Sequence, residues 1–179
     1  MKTFKILILT ILMINNLVAQ NFVPKNDLSK VTFAIKNLGI NVNGSFSGVK
    51  GTIVFNSKDL NSSEINLSVN ANTINTDNSA RDKHLRKDEY FGVEKFPLIT
   101  FKSTKISAAA RLNRYNVEGN LTIKGITKPI KFELITIEKE NNLDLKCSFE
   151  INRRNFKVGG NSMILSDNVK MNIAVIAKK

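Results

Sequence analysis

The side chains that could perform chemistry in this 179-residue chain are few. Cys147 is the only cysteine, His84 is the only histidine, and Asp82 and Asp88 lie on either side of that histidine. A thiol, an imidazole and a carboxylate can form a nucleophilic set when a fold brings them together. Cys147, however, occupies an apolar position of an alternating segment, where a cysteine usually behaves as a small buried hydrophobe. We therefore predict no catalytic residues and no enzymatic activity.

The same residues do not suggest a metal centre. A protein zinc site normally takes three or four Cys, His or carboxylate ligands. His84 has no second histidine in the chain and no cysteine near it in sequence. We predict no metal site and no cofactor.

The charged residues around the histidine allow two interpretations. Arg81, Asp82, His84 and Asp88 could form a polar latch that fixes a short helix against the rest of the domain. Alternatively, Arg81 and His84 could contact the polar head of a ligand. The first interpretation is favoured, and the second stays open.

A short helix is predicted over residues 79–91. Ser79 and Asp82 have the spacing of a capping box, in which two side chains satisfy free backbone donors at a helix start. Gly92 stands where a C-terminal cap is expected. Spacings of four and three residues would place three side chains on one helix face, namely His84, Asp88 and Phe91.

Most of the remaining chain alternates apolar and polar residues with a period of two. Successive side chains of a strand point to opposite faces, so this pattern predicts antiparallel sheet with one apolar and one solvated face. We expect about eight strands in one continuous unit. Clear alternating segments lie at residues 31–36, 49–55, 65–71, 117–124, 143–152 and 169–175.

The apolar faces of these strands can be buried in a sandwich or in a closed barrel. A barrel removes the sheet edges, and with about eight strands it holds either filling side chains or one small ligand. Small residues on the apolar parity would leave space between large ones, which favours a cavity. These small residues are Gly51, Ala71, Ser103 and Gly119.

The N-terminus and the net charge bear on where the protein acts. Residues 1–20 combine a basic start, a short apolar run and Ala19 near the end, which is typical of a signal peptide cleaved near Ala19 or Gln20. We therefore expect a periplasmic or secreted protein, and a bacterial source.

The net charge of +12 allows transient contact with an anionic membrane surface. The charges are scattered, so nucleic acid is not an expected partner. Arg153 or Arg154 could pair with an acid near the helix or meet an anionic head group.

Several stretches together resemble the YceI-like family, in the same order along residues 21–179. The most specific are RDKHLRKDEYF at 81–91, FPLITFKS at 96–103 and GNLTIKGITKPI at 119–130. Residues 37–40, 44–48 and 152–156 add to the resemblance, although Lys157 stands where that family usually has glycine.

The resemblance implies an all-β fold, an extended eight-stranded antiparallel lipocalin-like barrel with one short helix in a loop. It also implies non-catalytic binding, transport or storage of a polyisoprenoid, quinone or fatty-acid-like molecule. We expect a monomer or homodimer. The alternatives are a stress-response or interaction protein with incidental lipid, or an enzyme acting on isoprenoids or amides through His84. The predicted ligand-binding residues are Phe33, Phe55, Leu67, Phe101, Leu121, Ile123, Phe132, Phe149, Met171, Arg81 and His84.

Overall fold

The computed structural model describes residues 20–179, which form ten strand segments and one α-helix. The predicted signal peptide, residues 1–20, lies almost entirely outside the described residues. Within residues 20–179, no helix has the length and apolar character needed to cross a bilayer. The elements are β1 (Gln20–Pro24), β2 (Lys30–Asn37), β3 (Ile40–Phe46), β4 (Lys50–Phe55), β5 (Glu64–Asn70), α1 (Ser79–Leu85), β6 (Leu98–Ala108), β7 (Arg114–Ile123), β8 (Ile126–Glu138), β9 (Asn142–Asn152) and β10 (Leu165–Lys178).

The ten segments occupy eight positions of a closed antiparallel barrel. Strands β1 and β2 lie one after the other along the same edge of β10, with Val23 opposite Lys178 and Val31 opposite Ile173. Strands β3 and β4 share the next position, because β3 pairs with β2 and β4 pairs with β1. From β4 the sheet continues through β5, β6, β7, β8 and β9 to β10. The eight-stranded barrel predicted from the sequence is therefore confirmed.

One end of the barrel is filled by its own side chains. It is the end at which β5, β7 and β9 begin, and we call it the packed end. Phe55 and Tyr115 meet edge to face here, with ring centroids 5.2 Å apart. Phe22 and Leu143 are buried in the same core cluster. Such close packing leaves no room for a ligand at this end.

The other end carries the long connections, and we call it the cavity end. It holds the β2–β3 turn, residues 71–97 with α1, the β7–β8 turn and residues 153–164. Lys124 in the β7–β8 turn ties two of these connections together, because its Nζ donates to the carbonyls of Glu89 at 3.1 Å and Lys157 at 2.9 Å. Burial lowers the pKa of Lys124.

The helix is shorter than predicted and is capped differently. Asn78, rather than Ser79, is the N-cap, and its Oδ1 accepts a hydrogen bond from the Arg81 N–H at 2.9 Å. The predicted capping box is wrong because the Asp82 carboxylate bonds to Thr76 instead. The helix ends at Leu85, so the predicted face formed by His84, Asp88 and Phe91 does not exist. Consecutive turns follow, and they include Gly92, whose φ is +56°.

Candidate ligand-binding cavity

An apolar cavity of about 390 Å³ occupies the barrel interior towards the cavity end. This volume lies within the range of about 300–1,000 Å³ that is usual for small-molecule sites. Every strand position contributes to the wall, from Phe33 on β2 to Met171 on β10. The helix and the turns after it cover the opening with Leu85, Tyr90 and Phe91. The cavity is therefore a blind pocket, closed by packed side chains at its base and partly covered by the helical connection at its mouth.

Aromatic rings form much of the wall. Phe132 and Phe149 stack with ring centroids 4.9 Å apart, and Phe101 lies 5.4 Å from Phe132. Nearer the opening, Phe46 and Phe91 meet edge to face at 5.6 Å. Rings arranged in this way give a rigid apolar lining, which suits hydrocarbon or unsaturated chains better than polar molecules.

None of the four small residues singled out in the sequence lines the cavity, so the interpretation that they leave its space is wrong. A Cβ atom added to Gly119 would lie 2.5 Å from the Phe101 ring, and one added to Gly44 would lie 2.3 Å from the Phe33 ring. Each glycine thus leaves room for a phenylalanine ring that a larger residue would displace. Ser103 is buried, and its Oγ accepts a hydrogen bond from the Ile65 N–H at 2.9 Å.

A polar latch holds the helical connection in place. One oxygen of the buried Asp82 accepts hydrogen bonds from the backbone N–H and the hydroxyl of Thr76, at 2.9 and 2.6 Å. Arg81 donates to the same hydroxyl through Nε and to the Thr76 carbonyl through Nη2, both at 2.7 Å. Arg86 donates to the carbonyls of Asn72 and Ile74. The predicted latch is therefore present in part. Arg81 and Asp82 meet at Thr76, but all of these contacts lie within residues 72–86, so they fix the helix to the segment before it and not to the barrel strands.

Two members of the predicted latch lie outside it. His84 is exposed and packs its ring against Tyr90, with centroids 5.0 Å apart. Asp88 is an exposed partner of Lys95 at the surface. The contacts of Arg81 and Asp82 with Thr76, and of Arg86 with Asn72 and Ile74, therefore form the latch.

Arg153 is a buried structural residue whose partners differ from the prediction. Its guanidinium donates to the carbonyls of Ser166, Val158, Gly160 and Leu165 and forms an ion pair with Asp167 at 2.8 Å. These acceptors lie in the β9–β10 connection and at the start of β10, so a pairing with an acid near the helix is wrong. A guanidinium has five N–H donors, and these five bonds use all of them. Arg154 is exposed, donates to Asn161 and lies 4.0 Å from Asp167.

The charged groups that line the cavity are all basic. They are Arg81 and Arg153, with the imidazole of His84 beside them, and no Asp or Glu lines the cavity in the part of the chain that the structure describes. Arg81 keeps its Nη1 without a hydrogen-bond partner among residues 20–179, because the latch uses only Nε and Nη2. Asn37 also lines the cavity, and its buried Oδ1 has no partner among these residues. These groups could bond to a polar ligand head.

Cys147 lines the cavity as a protonated thiol. Its side chain packs against the main core cluster. Burial raises the pKa of the Cys147 thiol from 9.0 to about 12. A thiol of that pKa holds almost no thiolate near neutral pH, so it is a poor nucleophile.

Ten of the eleven predicted ligand-binding residues line the cavity. Phe55 does not, because it is buried in the packed end against Tyr115. Among the lining residues that sequence reasoning missed are Asn37, Phe46, Tyr90 and Phe91, which reach the cavity from strand ends and connections. All four lie in motifs that carried the family resemblance, at residues 37–40, 44–48 and 81–91. Those motifs were the sequence signal from which they could have been found.

Comparison with known sequences gives consistent matches. Residues 22–177 match the YceI-like domain. A UPF0312 protein of Pectobacterium atrosepticum is 38% identical over 104 residues, which are 58% of this chain and 53% of that protein. The protein YceI of Salmonella arizonae has the same identity and the same coverage. The chain thus spans about half the length of the curated relatives that it matches.

Solved structures show the same barrel. BcnA of Burkholderia cenocepacia superposes with a TM-score of 0.82 at 21% identity, covering 87% of this chain and 99% of that one. A YCEI protein of Campylobacter jejuni gives 0.70 at 26% identity, covering 78% and 86%. A polyisoprenoid binding domain of Saccharophagus degradans gives 0.71 at 13% identity, covering 88% and 97%. At 21% and 13% identity the first and third support the fold alone. Taken with the match over residues 22–177, these findings show that the chain belongs to the YceI-like domain family.

Proposed function

We propose that the protein binds one hydrophobic chain molecule, isoprenoid- or fatty-acid-like, inside the barrel and carries or stores it without altering it. The observation that carries this proposal is the blind apolar cavity of about 390 Å³, lined almost entirely by aromatic and aliphatic side chains. Each CH2 group moved from water into such a cavity contributes about 0.8 kcal/mol. Ten groups would contribute roughly 8 kcal/mol before the entropic cost of binding, which is enough for micromolar affinity.

The basic lining groups support a neutral or anionic head on the cargo. All five N–H groups of the Arg153 guanidinium donate to protein carbonyls and to Asp167. Arg81, with Nη1 unengaged, is the group we assign to the head, with His84 nearby in sequence on the same helix. A carboxylate, phosphate or phenol would suit this side of the cavity, because each accepts a hydrogen bond from a guanidinium.

The proposal includes no chemical step. The raised pKa of the Cys147 thiol argues against a nucleophilic role for this residue. The rival in which His84 acts on an isoprenoid or amide predicts that His84→Ala abolishes function in cells. The carrier proposal predicts that the variant keeps it.

We also propose that the protein acts outside the cytoplasm, in the periplasm or beyond, as residues 1–20 suggest. N-terminal sequencing of protein isolated from the native cell tests this: a start at Gln20 or Asn21 supports export, whereas an intact Met1 in the mature protein contradicts it.

The carrier proposal is tested on protein purified from its native cell without detergent. Organic extraction followed by mass spectrometry should yield one class of long-chain lipid at about one molecule per protein. Native mass spectrometry should show the protein heavier than its bare chain by the mass of that lipid, both before and after gentle activation. Repeated preparations that contain only bare protein would contradict the proposal.

A further inference from the structure

Four exposed apolar side chains lie together at the rim of the cavity end. Leu38 lies in the β2–β3 turn, Ile40 begins β3, and Met163 and Ile164 precede β10. The two segments are joined, because the Leu38 N–H donates to the Ile164 carbonyl at 2.8 Å. Leu38 is 70% exposed, Ile40 71%, Met163 fully exposed and Ile164 52%. We call these four residues the rim patch.

The rim patch is continuous with the cavity wall. Asn37 and Leu165, the immediate neighbours of Leu38 and Ile164, form a cross-strand pair and both line the cavity. A surface that binds the rim patch therefore lies directly beside the cavity. The patch is in the right place to contact the source of a hydrophobic cargo.

The backbone conformation at Leu38 is one that other residue types favour over leucine. Leu38 and Gly39 form a two-residue turn with φ of +51° and +79°. Asn, Asp and Gly are the residues that favour such a turn, and a leucine in the left-handed region is strained. Lys124 has a similar φ in the β7–β8 turn, but its Nζ binds two carbonyls. The Leu38 side chain is largely in solvent, so packing does not explain its presence.

The size and charge of the cavity end favour a lipid surface over a protein partner. Stable protein interfaces take about 20–30 residues from each side, whereas the rim patch is four side chains on two adjacent turns. The segments at this end, residues 36–41, 71–97, 123–126 and 152–167, contain ten Lys and Arg and six Asp and Glu. Apolar tips surrounded by excess positive charge are typical of binding to anionic membranes.

We propose that the rim patch inserts into the surface of an anionic bilayer and holds the cavity end against the membrane. The role of this contact in cargo exchange rests on the proposed carrier function. The insertion itself does not, because it can be measured on protein without cargo. If the protein binds vesicles but not a fatty-acid probe, the carrier function is contradicted and the membrane docking is supported. If it binds the probe but not vesicles, only the membrane docking is contradicted.

The first test uses the absence of tryptophan from the sequence. Leu38→Trp and Met163→Trp each place one indole in the rim patch, and Leu112→Trp places one on the β6–β7 turn at the packed end, where Leu112 is 90% exposed. Vesicles of phosphatidylcholine mixed with phosphatidylglycerol should shift the emission of both rim variants to shorter wavelength and leave Leu112→Trp unchanged. Equal responses at both ends, or no response at the rim, would overturn the proposal.

The second test separates membrane binding from folding. Leu38→Asn installs the residue that the turn prefers, so it should raise the Tm by roughly 2–4 °C. The same change should weaken partition onto phosphatidylglycerol-containing vesicles about tenfold in co-sedimentation. Leu112→Asn is the matched control and should leave partition within about twofold. Unchanged partition of Leu38→Asn, or a lowered Tm, would contradict the proposal.

Discussion

Thr76 and Asp82 face each other across one turn, and a single Asp82 carboxylate oxygen accepts both the N–H and the hydroxyl of Thr76. Both residues are buried. This contact anchors the start of the helical connection, which partly covers the cavity. The cover of the apolar cavity thus depends on a small polar cluster at its edge.

Removal of this carboxylate should destabilise the protein. Asp82→Ala leaves the buried Thr76 N–H without an acceptor, which should lower the free energy of unfolding by about 1–3 kcal/mol. Asp88→Ala is the control, because Asp88 pairs with Lys95 in solvent, and its loss should cost under about 1 kcal/mol. Urea denaturation measures both values, and equal losses would contradict the role given to the latch.

Adding even a methyl group at Gly119 should destabilise the protein. Gly119→Ala places a Cβ 2.5 Å from the Phe101 ring and 2.6 Å from the Lys102 carbonyl oxygen, which the backbone cannot easily relieve. We expect a loss of about 1–3 kcal/mol in the free energy of unfolding. Gly160→Ala meets nothing within 4 Å and should stay within about 0.5 kcal/mol of the parent. A neutral Gly119→Ala would show that the ring is not seated as described.

The buried thiol of Cys147 should make stability fall at high pH. Its pKa is raised from 9.0 to about 12, so between these values the unfolded chain has released a proton that the folded chain keeps. Stability from this thiol is therefore complete below pH 9 and falls by about 1.4 kcal/mol for each pH unit above it. The difference in unfolding free energy between the parent and Cys147→Ala should shrink accordingly between pH 9 and pH 11. Parallel curves would contradict the burial of the thiol.

Arg81 should discriminate between charged and uncharged cargo heads. Arg81→Met removes part of the latch as well as the unengaged Nη1, so binding of every ligand could weaken. A contact with the head predicts that affinity for dansylaminoundecanoic acid falls about tenfold more than affinity for its methyl ester. A purely structural role predicts equal losses. Fluorescence titration of both probes decides between the two.

The period-two pattern predicted which face of each strand is apolar, but not how far along the barrel a side chain lies. Cys147 and Phe149 were placed inside correctly, and so was Phe55. Phe55 nevertheless lies in the packed end, because its height depends on the stagger of all eight strand positions. That stagger is a property of the whole closed sheet, and the sequence of a single strand does not determine it.

The helical connection was predicted less well, for a local reason. Ser79 and Asp82 have capping-box spacing, yet Asn78 caps the helix and the Asp82 carboxylate turns to Thr76. Several side chains compete for the same free donors at a helix start, and tertiary burial decides among them. The family motifs identified the right segment, although the roles of individual residues in it required the structure.

The most direct measurement of the central claim compares two adjacent substitutions on β9. Cys147 lines the cavity, whereas Ser148 is exposed on the outer face. Cys147→Trp should fill the cavity and lower the affinity for dansylaminoundecanoic acid at least about tenfold. Ser148→Trp should leave the affinity within about twofold, and Cys147→Phe provides a smaller plug if the larger one impairs folding. Full binding by folded Cys147→Trp and Cys147→Phe would contradict the account, because the cargo would then lie outside the barrel.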